Sequence, residues 1–264
     1  MTSYTHGHAE PVLRSHRWRT AENSAAYLLP HLRPGLRLLD VGSGPGTITA
    51  DLAALVAPAE VTALEATAEA LGLTAAELRR RGIRADLVVG DVHDLPFRDD
   101  AFDVVHAHQV LQHVADPVAA LRELRRVCRP GGLVAVRDAD YAGFTWWPRD
   151  PGIDTWLRLY DAAARANGGE PDAGRRLLGW ARAAGFPDPV ATASTWCFAT
   201  PEDREYWGGM WAERIVGSAL ADQLVAEGRC TRADLADVAA AWRRWTADPD
   251  GWFVVLHGEV LAHP

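Results

Sequence analysis

Short apolar runs alternate with longer amphipathic segments from Gly35 to about Asp140. This alternation is typical of βαβ units, in which helices connect parallel strands. The dipeptide Asp116-Pro117 adds a capping carboxylate and a first-turn proline, which mark a helix start. The pattern predicts strands at 36–41, 60–65, 85–90, 102–106 and 133–137, and helices at 47–56, at 66–81 and after Asp116. It therefore predicts a doubly wound α/β domain.

The alternation of short apolar runs with amphipathic segments ends at about Asp140. Two strands are expected at 190–198 and 251–261, and helical patterns occupy 150–185, 202–227 and 232–246. A helical insertion between two late strands is expected to form a lid, a wall of a substrate pocket or a dimer interface. We therefore divide the chain into an N-terminal helical cap (1–34), a cofactor-binding core (35–141) and a remainder that completes the sheet and carries the helical insertions (142–264).

The net charge, the lengths of the apolar stretches and the cysteine content disfavour several classes of function. The 264 residues carry a net charge of -8, which disfavours a nucleic-acid partner because such partners require a basic face. The chain has no apolar stretch of the roughly 20 residues that span a bilayer, and its N-terminus lacks the apolar core of a signal peptide. Its three cysteines, Cys128, Cys197 and Cys230, form no CxxC pair, so we expect reduced thiols, the first two buried, and no metal site. We expect a cytoplasmic protein.

A glycine-rich turn follows the first predicted strand, in the sequence Asp40-Val-Gly42-Ser43-Gly44-Pro-Gly46. Glycines allow a sharp turn and close approach of a ligand, and the helix that follows offers free N–H groups. The spacing is GxGxG and not the GxGxxG of dinucleotide sites, and no GK[ST] follows. Asp40 suits a ligand with a cationic end.

Two further acidic residues end the next two predicted strands. Glu65 ends the second strand, where Rossmann-like sites bind ribose hydroxyls. Asp91 follows the third strand and could accept a hydrogen bond from an adenine amino group, with Val92 packed on the ring. Carboxyl ends of strands are where open α/β sheets bind ligands. Three acids at three successive strand ends indicate a nucleoside-containing ligand with a cationic end.

The segments LLDVGSGPGTIT, VTALEAT and GDVHDLPFRDDAFDVVHAHQVLQHVADPVAALRELRRVCRPGGLVAVRD resemble class I S-adenosylmethionine (SAM)-dependent methyltransferases, in particular the group similar to ubiquinone/menaquinone biosynthesis methyltransferases. The resemblance covers Leu36–Asp138. It departs from the group's pattern at Ser43, where cysteine is frequent, and at Glu65, where aspartate is commoner.

The resemblance implies a Rossmann-like, seven-stranded sheet with its last strand antiparallel. It also implies SAM as cofactor and S-adenosylhomocysteine as product. It assigns Asp40, Gly42, Gly44 and Gly46 to the methionine end, Glu65 to the ribose, and Asp91 with Val92 to the adenine. The complete candidate set for the cofactor is Asp40, Gly42, Ser43, Gly44, Gly46, Glu65, Ala66, Asp91, Val92, His93, His108 and Gln109.

Methyl transfer from a sulfonium is an in-line displacement, so a base is needed only where the acceptor must lose a proton. His106 and His108 share one face if the fourth strand continues. They could act as a general base, bind a metal or line the cofactor pocket, and the absence of neighbouring carboxylates disfavours the metal. The candidate catalytic residues are His108, His106 and Tyr4.

Aromatic residues are concentrated after the fifth predicted strand, beginning with Tyr141 and the pair Trp146-Trp147. An aromatic pocket favours a flat or cationic acceptor. N-terminal helices of this fold class close over SAM, which adds Tyr4 and His8. The candidate acceptor-binding residues are Tyr4, His8, His113, Asp138, Tyr141, Trp146 and Trp147.

Three functions follow from these patterns. The first is methyl transfer to a small aromatic or heterocyclic metabolite at O, N or C, by a chain that could form a homodimer. The second is a SAM-binding fold without methyl transfer, acting as a regulator or in another reaction. The third is an NAD-dependent oxidoreductase. It is disfavoured because it would need GxGxxG and a catalytic Tyr-xxx-Lys or equivalent, whereas the chain contains no lysine.

Overall fold

A computed structural model describes residues 18–264. They form two compact units. The sheet unit comprises residues 18–139, Ala173–Ser194 and His257–Pro264, and the helical unit comprises Asp140–Asp172 and Thr195–Leu256. Between residues 18 and 264, no helix is long and apolar enough to cross a membrane. The domain boundaries at residues 34 and 141 stay predictions.

Eight strands and ten α-helices occur in the described part of the chain. The strands are β1 Leu38–Val41, β2 Val61–Glu65, β3 Ala85–Val89, β4 Phe102–His108, β5 Cys128–Ala139, β6 Thr145–Trp147, β7 Val190–Phe198 and β8 Trp252–Ala262. The helices are α1 Ala21–Ser24, α2 Thr47–Val56, α3 Ala68–Arg80, α4 Pro117–Val127, α5 Pro151–Ala166, α6 Leu177–Ala183, α7 Pro201–Arg204, α8 Met210–Gly217, α9 Ala219–Ala226 and α10 Arg232–Ala247. A π-helical turn, Glu205–Gly209, joins α7 to α8.

In the sheet unit the strand order is β3-β2-β1-β4-β5-β8, and β7 also pairs with β8. The first five strands of this order are parallel and β8 is antiparallel to β5. In the helical unit, β6 pairs antiparallel with the first residues of β8. The α/β class and the antiparallel late strand are confirmed. The sheet has eight strands where seven were expected. The additional strand is β6, whose three residues were not predicted as a strand.

Several local predictions are confirmed in detail. Helix α2 has the predicted bounds, and Asp116 caps α4 by accepting a hydrogen bond from the Ala119 N–H at 2.9 Å. Strand β4 continues two residues past the predicted end, to His108. Strand β5 begins at Cys128 and not at the predicted residue 133, so the Arg-Pro-Gly-Gly segment lies within the strand, with a register shift against β4 near Phe102.

Both faces of the central strands of the sheet unit are buried. On one face, Leu28, Ile48 and Leu52 pack against Leu38 and Val104. The other face packs against α4 and α6 through a cluster that includes Leu121, Leu124, Val127, Leu177, Ala181, Val105, Val134 and Val136. Covering both faces of a mostly parallel sheet requires strands that are apolar on both sides, and every residue of β1 is buried. The carboxyl ends of the strands remain as the edge that can carry a site.

The helical unit has an aromatic core. Trp156 lies edge-on to Trp211 and Trp242, with ring centroids 4.6 and 5.0 Å apart, and Phe253 lies 5.5 Å from Trp242. The predicted helix at 202–227 is broken into α7, α8 and α9.

The cysteines are all free, and Cys128 is buried as expected. The expectation that Cys197 is buried was wrong. Strand β7 alternates at this point, so Trp196 and Phe198 face inward and Cys197 is exposed.

Candidate cofactor site

The glycine-rich turn adopts the conformation that its sequence predicts. Gly42, Gly44 and Gly46 all have positive φ, at 70°, 56° and 82°. A Cβ atom at Gly46 would lie 2.9 Å from Thr74 Cα, and one at Gly42 would collide with Val110. A Cβ at Gly44 would meet no atom within 4 Å. The turn is therefore packed against the protein at both ends and open in the middle.

Thr74 fixes this turn to α3, a role that the sequence analysis did not assign. Its hydroxyl donates to the Gly44 carbonyl at 2.7 Å and lies 2.9 Å from the Ser43 hydroxyl. Thr74 is fully buried and shares the apolar stripe of α3 with Leu71 and Leu78. A polar residue on a buried helical stripe was the available signal.

Asp40 lies beneath the turn with both carboxylate oxygens hydrogen-bonded. The Thr49 hydroxyl donates to Oδ2 at 2.5 Å, and His106 Nδ1 lies 2.7 Å from Oδ1. Asp40 and His106 are paired residues of the neighbouring strands β1 and β4, and both are buried. His106, a candidate base, is thus held against a candidate cofactor residue.

Glu65, at the end of β2, also contacts the turn. Its Oε1 accepts a hydrogen bond from the Gly44 N–H at 2.6 Å, and its Oε2 accepts one from the Ala66 N–H at 3.2 Å. Helix N-termini and open turns attract carboxylates through such N–H groups. Glu65 and the open middle of the turn are therefore brought together across 21 residues of sequence.

Asp91 and His93 form a small exposed turn after β3. The backbone N–H of His93 donates to Asp91 Oδ1 at 2.9 Å, and His93 Nδ1 lies 2.8 Å from the same oxygen. These two hydrogen bonds hold the pKa of the Asp91 carboxyl below its ordinary value. Val92 between them is buried and belongs to the apolar cluster beneath the sheet. Asp91 is thus ionised and presented outward.

His108 and Gln109 end β4 beside His257, a residue that the sequence analysis did not select. Gln109 has a positive φ of 55°, and its side-chain Nε2 lies 2.9 Å from His257 Nε2. The rings of His108 and His257 are stacked with centroids 6.2 Å apart. Burial, followed by the nearby Arg137, lowers the pKa of His108 well below its ordinary value, so its ring is neutral at pH 7. A histidine in the apolar pattern of β8 was the signal for His257.

Gln112 links Asp138, at the end of β5, to His113. The Gln112 N–H donates to Asp138 Oδ1 at 3.0 Å, and Gln112 Nε2 lies 3.1 Å from His113 Nε2. Asp138 is fully buried and burial raises its pKa to about 8, while burial lowers the pKa of His113 to about 3. Both groups are therefore predominantly uncharged at pH 7.

The other acceptor-binding candidates lie elsewhere. Tyr141 stacks on Tyr160 in the helical unit at 4.1 Å, and Trp146 stacks on Phe253 at 5.6 Å. Trp147 points to the opposite face of β6 and is 58% exposed.

Tyr4 and His8 lie outside the described residues. Within residues 18–264, no group of three or more His, Cys, Asp or Glu side chains could hold a metal ion.

The chemistry of the donor set fits SAM. Acidic side chains stand at the ends of β1, β2 and β3, where an ammonium and sulfonium, a ribose diol and an amino group would each find an acceptor. The turn between β1 and α2 leaves open space at Gly44, as a backbone that approaches a ligand requires. The turn carries no lysine, in contrast to the GK[ST] of a P-loop.

Comparison with known proteins agrees with this geometry. Residues 39–136 match a family described as a methyltransferase domain. The uncharacterized methyltransferase C1B3.06c of Schizosaccharomyces pombe is 35% identical over 267 residues, covering 98% of this chain and 95% of that protein. A demethylmenaquinone methyltransferase of Parafrankia sp. is 35% identical, covering 67% of this chain and 73% of that protein.

Among solved structures, the [4+2]-cyclase SpnF is 25% identical with a TM-score of 0.53, covering 96% of this chain and 80% of that one. The whole chain, and not only its sheet unit, thus has counterparts. With a glycine-rich turn, three strand-end acids and a relative 35% identical along nearly its full length, the chain belongs to the class I SAM-dependent methyltransferases.

Proposed function

We propose that this enzyme transfers the methyl group of SAM to a small, flat aromatic or heterocyclic metabolite at an oxygen, nitrogen or carbon atom. The observation that carries the proposal is the aromatic character of the chain that follows β5. Tyr141, Phe144 and Tyr160 are stacked and buried there beside Trp156, and Trp147 presents an indole ring that is 58% exposed. Aromatic faces favour flat or cationic partners. The Parafrankia relative is named for a quinone-type acceptor, which agrees in chemistry.

The cofactor assignment extends the geometry of the turn. Asp40 with Gly42, Ser43, Gly44 and Gly46 would hold the methionine end, because this is where the backbone is open beside a buried acid. Glu65, with Ala66 next to it, would bind the ribose diol. Its carboxylate would either give up its hydrogen bond from the Gly44 N–H or keep that bond and accept from the diol as well. Asp91, Val92 and His93 would hold the adenine, and His108 and Gln109 would line the pocket.

SAM supplies the electrophilic methyl group, and the protein's task is alignment. In this proposal the rigid packing of Gly46 on Thr74 holds the turn, and the acceptor residues orient the nucleophile. Where the acceptor must lose a proton, His108 is the proposed base; its ring is neutral at pH 7, and its lowered pKa makes it a weaker base than an ordinary histidine. His106 is less suited to that role because its side chain is fully buried and has no exposed surface to offer an acceptor. The net charge of -8 remains the argument against a nucleic-acid acceptor.

Calorimetric titration with SAM, S-adenosylhomocysteine and NAD tests the cofactor site. We expect micromolar binding of the first two ligands and none of NAD. The double variant Asp40→Ala, Glu65→Ala should lose at least tenfold in affinity, since charged hydrogen bonds contribute about 1.5–3 kcal/mol each. A matched control is Glu60→Ala, Asp86→Ala, which removes the same charge from exposed positions at the amino ends of β2 and β3. Absence of SAM binding to the wild-type protein would contradict the proposal.

A second candidate is a SAM-binding fold that performs a reaction other than methyl transfer. The observation that favours it is the likeness to SpnF, which is named a [4+2]-cyclase. The two candidates differ in product. Release of S-adenosylhomocysteine with a panel of hydroxylated and amino-substituted aromatic acceptors supports methyl transfer, and tight SAM binding with no release across the panel supports the second candidate.

A further inference from the structure

A histidine and a carboxylate are buried together directly beneath the glycine-rich turn. His106 Nδ1 lies 2.7 Å from Asp40 Oδ1, and the side chains of the two residues are 0% and 3% exposed. The Thr49 hydroxyl donates to the second oxygen. Because a carboxylate needs a donor, the Nδ1 atom of His106 carries a proton, and in the neutral ring Nε2 does not.

Nε2 of His106 is buried and makes no hydrogen bond within the described residues. A second proton would therefore enter at Nε2 and would turn the pair into an imidazolium and a carboxylate. Protonation at Nε2 is disfavoured because it buries an N–H group without an acceptor, and it is favoured by the attraction between the imidazolium and the Asp40 carboxylate. The ring is thus held in one orientation and has one place to take up a proton.

The other charged and titratable groups of the sheet unit near this pair are arranged along the same side of the strands. His108 and Arg137 are paired residues of β4 and β5, and Arg137 contacts Glu259 of β8 at 3.2 Å. His108 interacts electrostatically with His106, and Tyr27, from the segment after α1, interacts with Asp40. The charged and titratable groups around those two residues are Arg19, Arg137, Asp138, His257 and Glu259. Asp40 is the acid in direct contact with His106.

We propose that His106 is a positioning residue that sets the net charge of the Asp40 site and so couples SAM binding to a proton. The inference rests on the proposed function in one respect, namely that Asp40 faces the methionine end of the cofactor. Neutral His106 aligns the Asp40 carboxylate and leaves its charge available for the ligand's cationic end. Protonated His106 cancels that charge, so the ligand and the proton compete.

Competition with a single proton has a defined signature. Below the pH at which His106 takes up its proton, the affinity for SAM and S-adenosylhomocysteine should fall by at most about tenfold for each pH unit. Both ligands carry the amino-acid portion with its ammonium. 5′-Methylthioadenosine lacks that portion, so its affinity should not depend on His106. This probe also separates the pair from Asp91 and His93, which would act through the adenine.

The decisive variant is His106→Asn, since an asparagine amide can replace Nδ1–H as a donor and cannot take up a proton. Calorimetric titrations between pH 5.5 and 8 should give a pH-dependent affinity for S-adenosylhomocysteine in the wild type and a nearly constant affinity in H106N. His31→Asn, at an exposed histidine, is the matched control and should behave as the wild type. His106→Leu, which removes the donor, should weaken binding at every pH.

A measurement on the wild type alone keeps the proposal testable if H106N does not fold. Titrations at pH 6 in two buffers of different ionisation enthalpy count the protons released on binding, and we expect up to one proton released per S-adenosylhomocysteine and none for 5′-methylthioadenosine. Binding without proton release, the same release with both ligands, or an H106N profile equal to the wild type would each overturn the inference. Absence of SAM binding at any pH would instead overturn the proposed function.

Discussion

Asp138 is an acidic residue that its buried environment keeps predominantly uncharged at pH 7. It is fully buried at the end of β5, and its Oδ2 atom makes no hydrogen bond within the described residues. Burial raises its pKa to about 8, far above the roughly 3.9 of an unfolded aspartate. A carboxyl whose folded-state pKa is raised favours the folded protein at low pH and loses that advantage as the pH rises.

Asp138→Asn should therefore change the pH dependence of stability. The amide keeps an acceptor for the Gln112 N–H and has no charge to bury. Between pH 4 and 8 the wild-type unfolding free energy should fall relative to that of D138N, with a slope approaching about 1.4 kcal/mol per pH unit. Urea unfolding across this range is the measurement, with the exposed Asp86→Asn as control. Parallel profiles for D138N and the wild type would show that Asp138 is ionised in the folded state.

At the scale of elements, the turn between β1 and α2 is held by contact with α3. Gly44 and Gly46 share a positive φ, but only Gly46 touches the backbone of Thr74. The two positions therefore differ in packing while they share the same backbone strain. This makes them a matched pair for asking how firmly α3 supports the turn.

Gly44→Ala should cost about 1 kcal/mol of unfolding free energy from the left-handed conformation alone. Gly46→Ala should cost about 1–3 kcal/mol more, because the new methyl group would displace Thr74 or the turn. Urea unfolding of both variants provides the comparison. Equal losses would mean that α3 moves aside freely and does not hold the turn.

For the whole molecule, the helical unit depends on its aromatic core. Trp242 is fully buried against Trp156, Trp245 and Phe253, whereas Trp147 is 58% exposed. Large aromatic side chains contribute most of the apolar area in such a core. The tryptophans of this unit should therefore differ widely in their effect on stability.

Trp242→Ala should lower the unfolding free energy by about 3–5 kcal/mol and reduce the near-ultraviolet dichroism. Trp147→Ala should stay within about 0.5 kcal/mol of the wild type, as exposed substitutions do, while its backbone carbonyl still accepts from the Trp245 indole. Chemical denaturation followed by dichroism measures both. A loss below 1 kcal/mol for W242A would show that the core repacks around the gap.

Most of the fold was accessible from the sequence. Helix α2 and strand β7 were predicted at their observed bounds, and the glycine-rich turn and the strand-end acids are local features that the sequence shows directly. Strand β6 was missed because three residues between a turn and a proline give no periodicity. The start of β5 was missed because Arg-Pro-Gly-Gly contains strong strand breakers, which the register shift between β5 and β4 accommodates.

The sequence by itself determined the alternation of strands and helices from β1 to β5, the GxGxG turn and the acids that end β1, β2 and β3. Each of these depends on local periodicity or on the backbone preferences of glycine. Only the tertiary structure decided which side chains meet. Parallel pairing of β1 with β4 brings His106 to Asp40 across 66 residues, and folding of β8 beside β5 brings His257 to Gln109 across 148. Such contacts depend on strand order and register, which are fixed by the burial of both sheet faces and not by any local pattern.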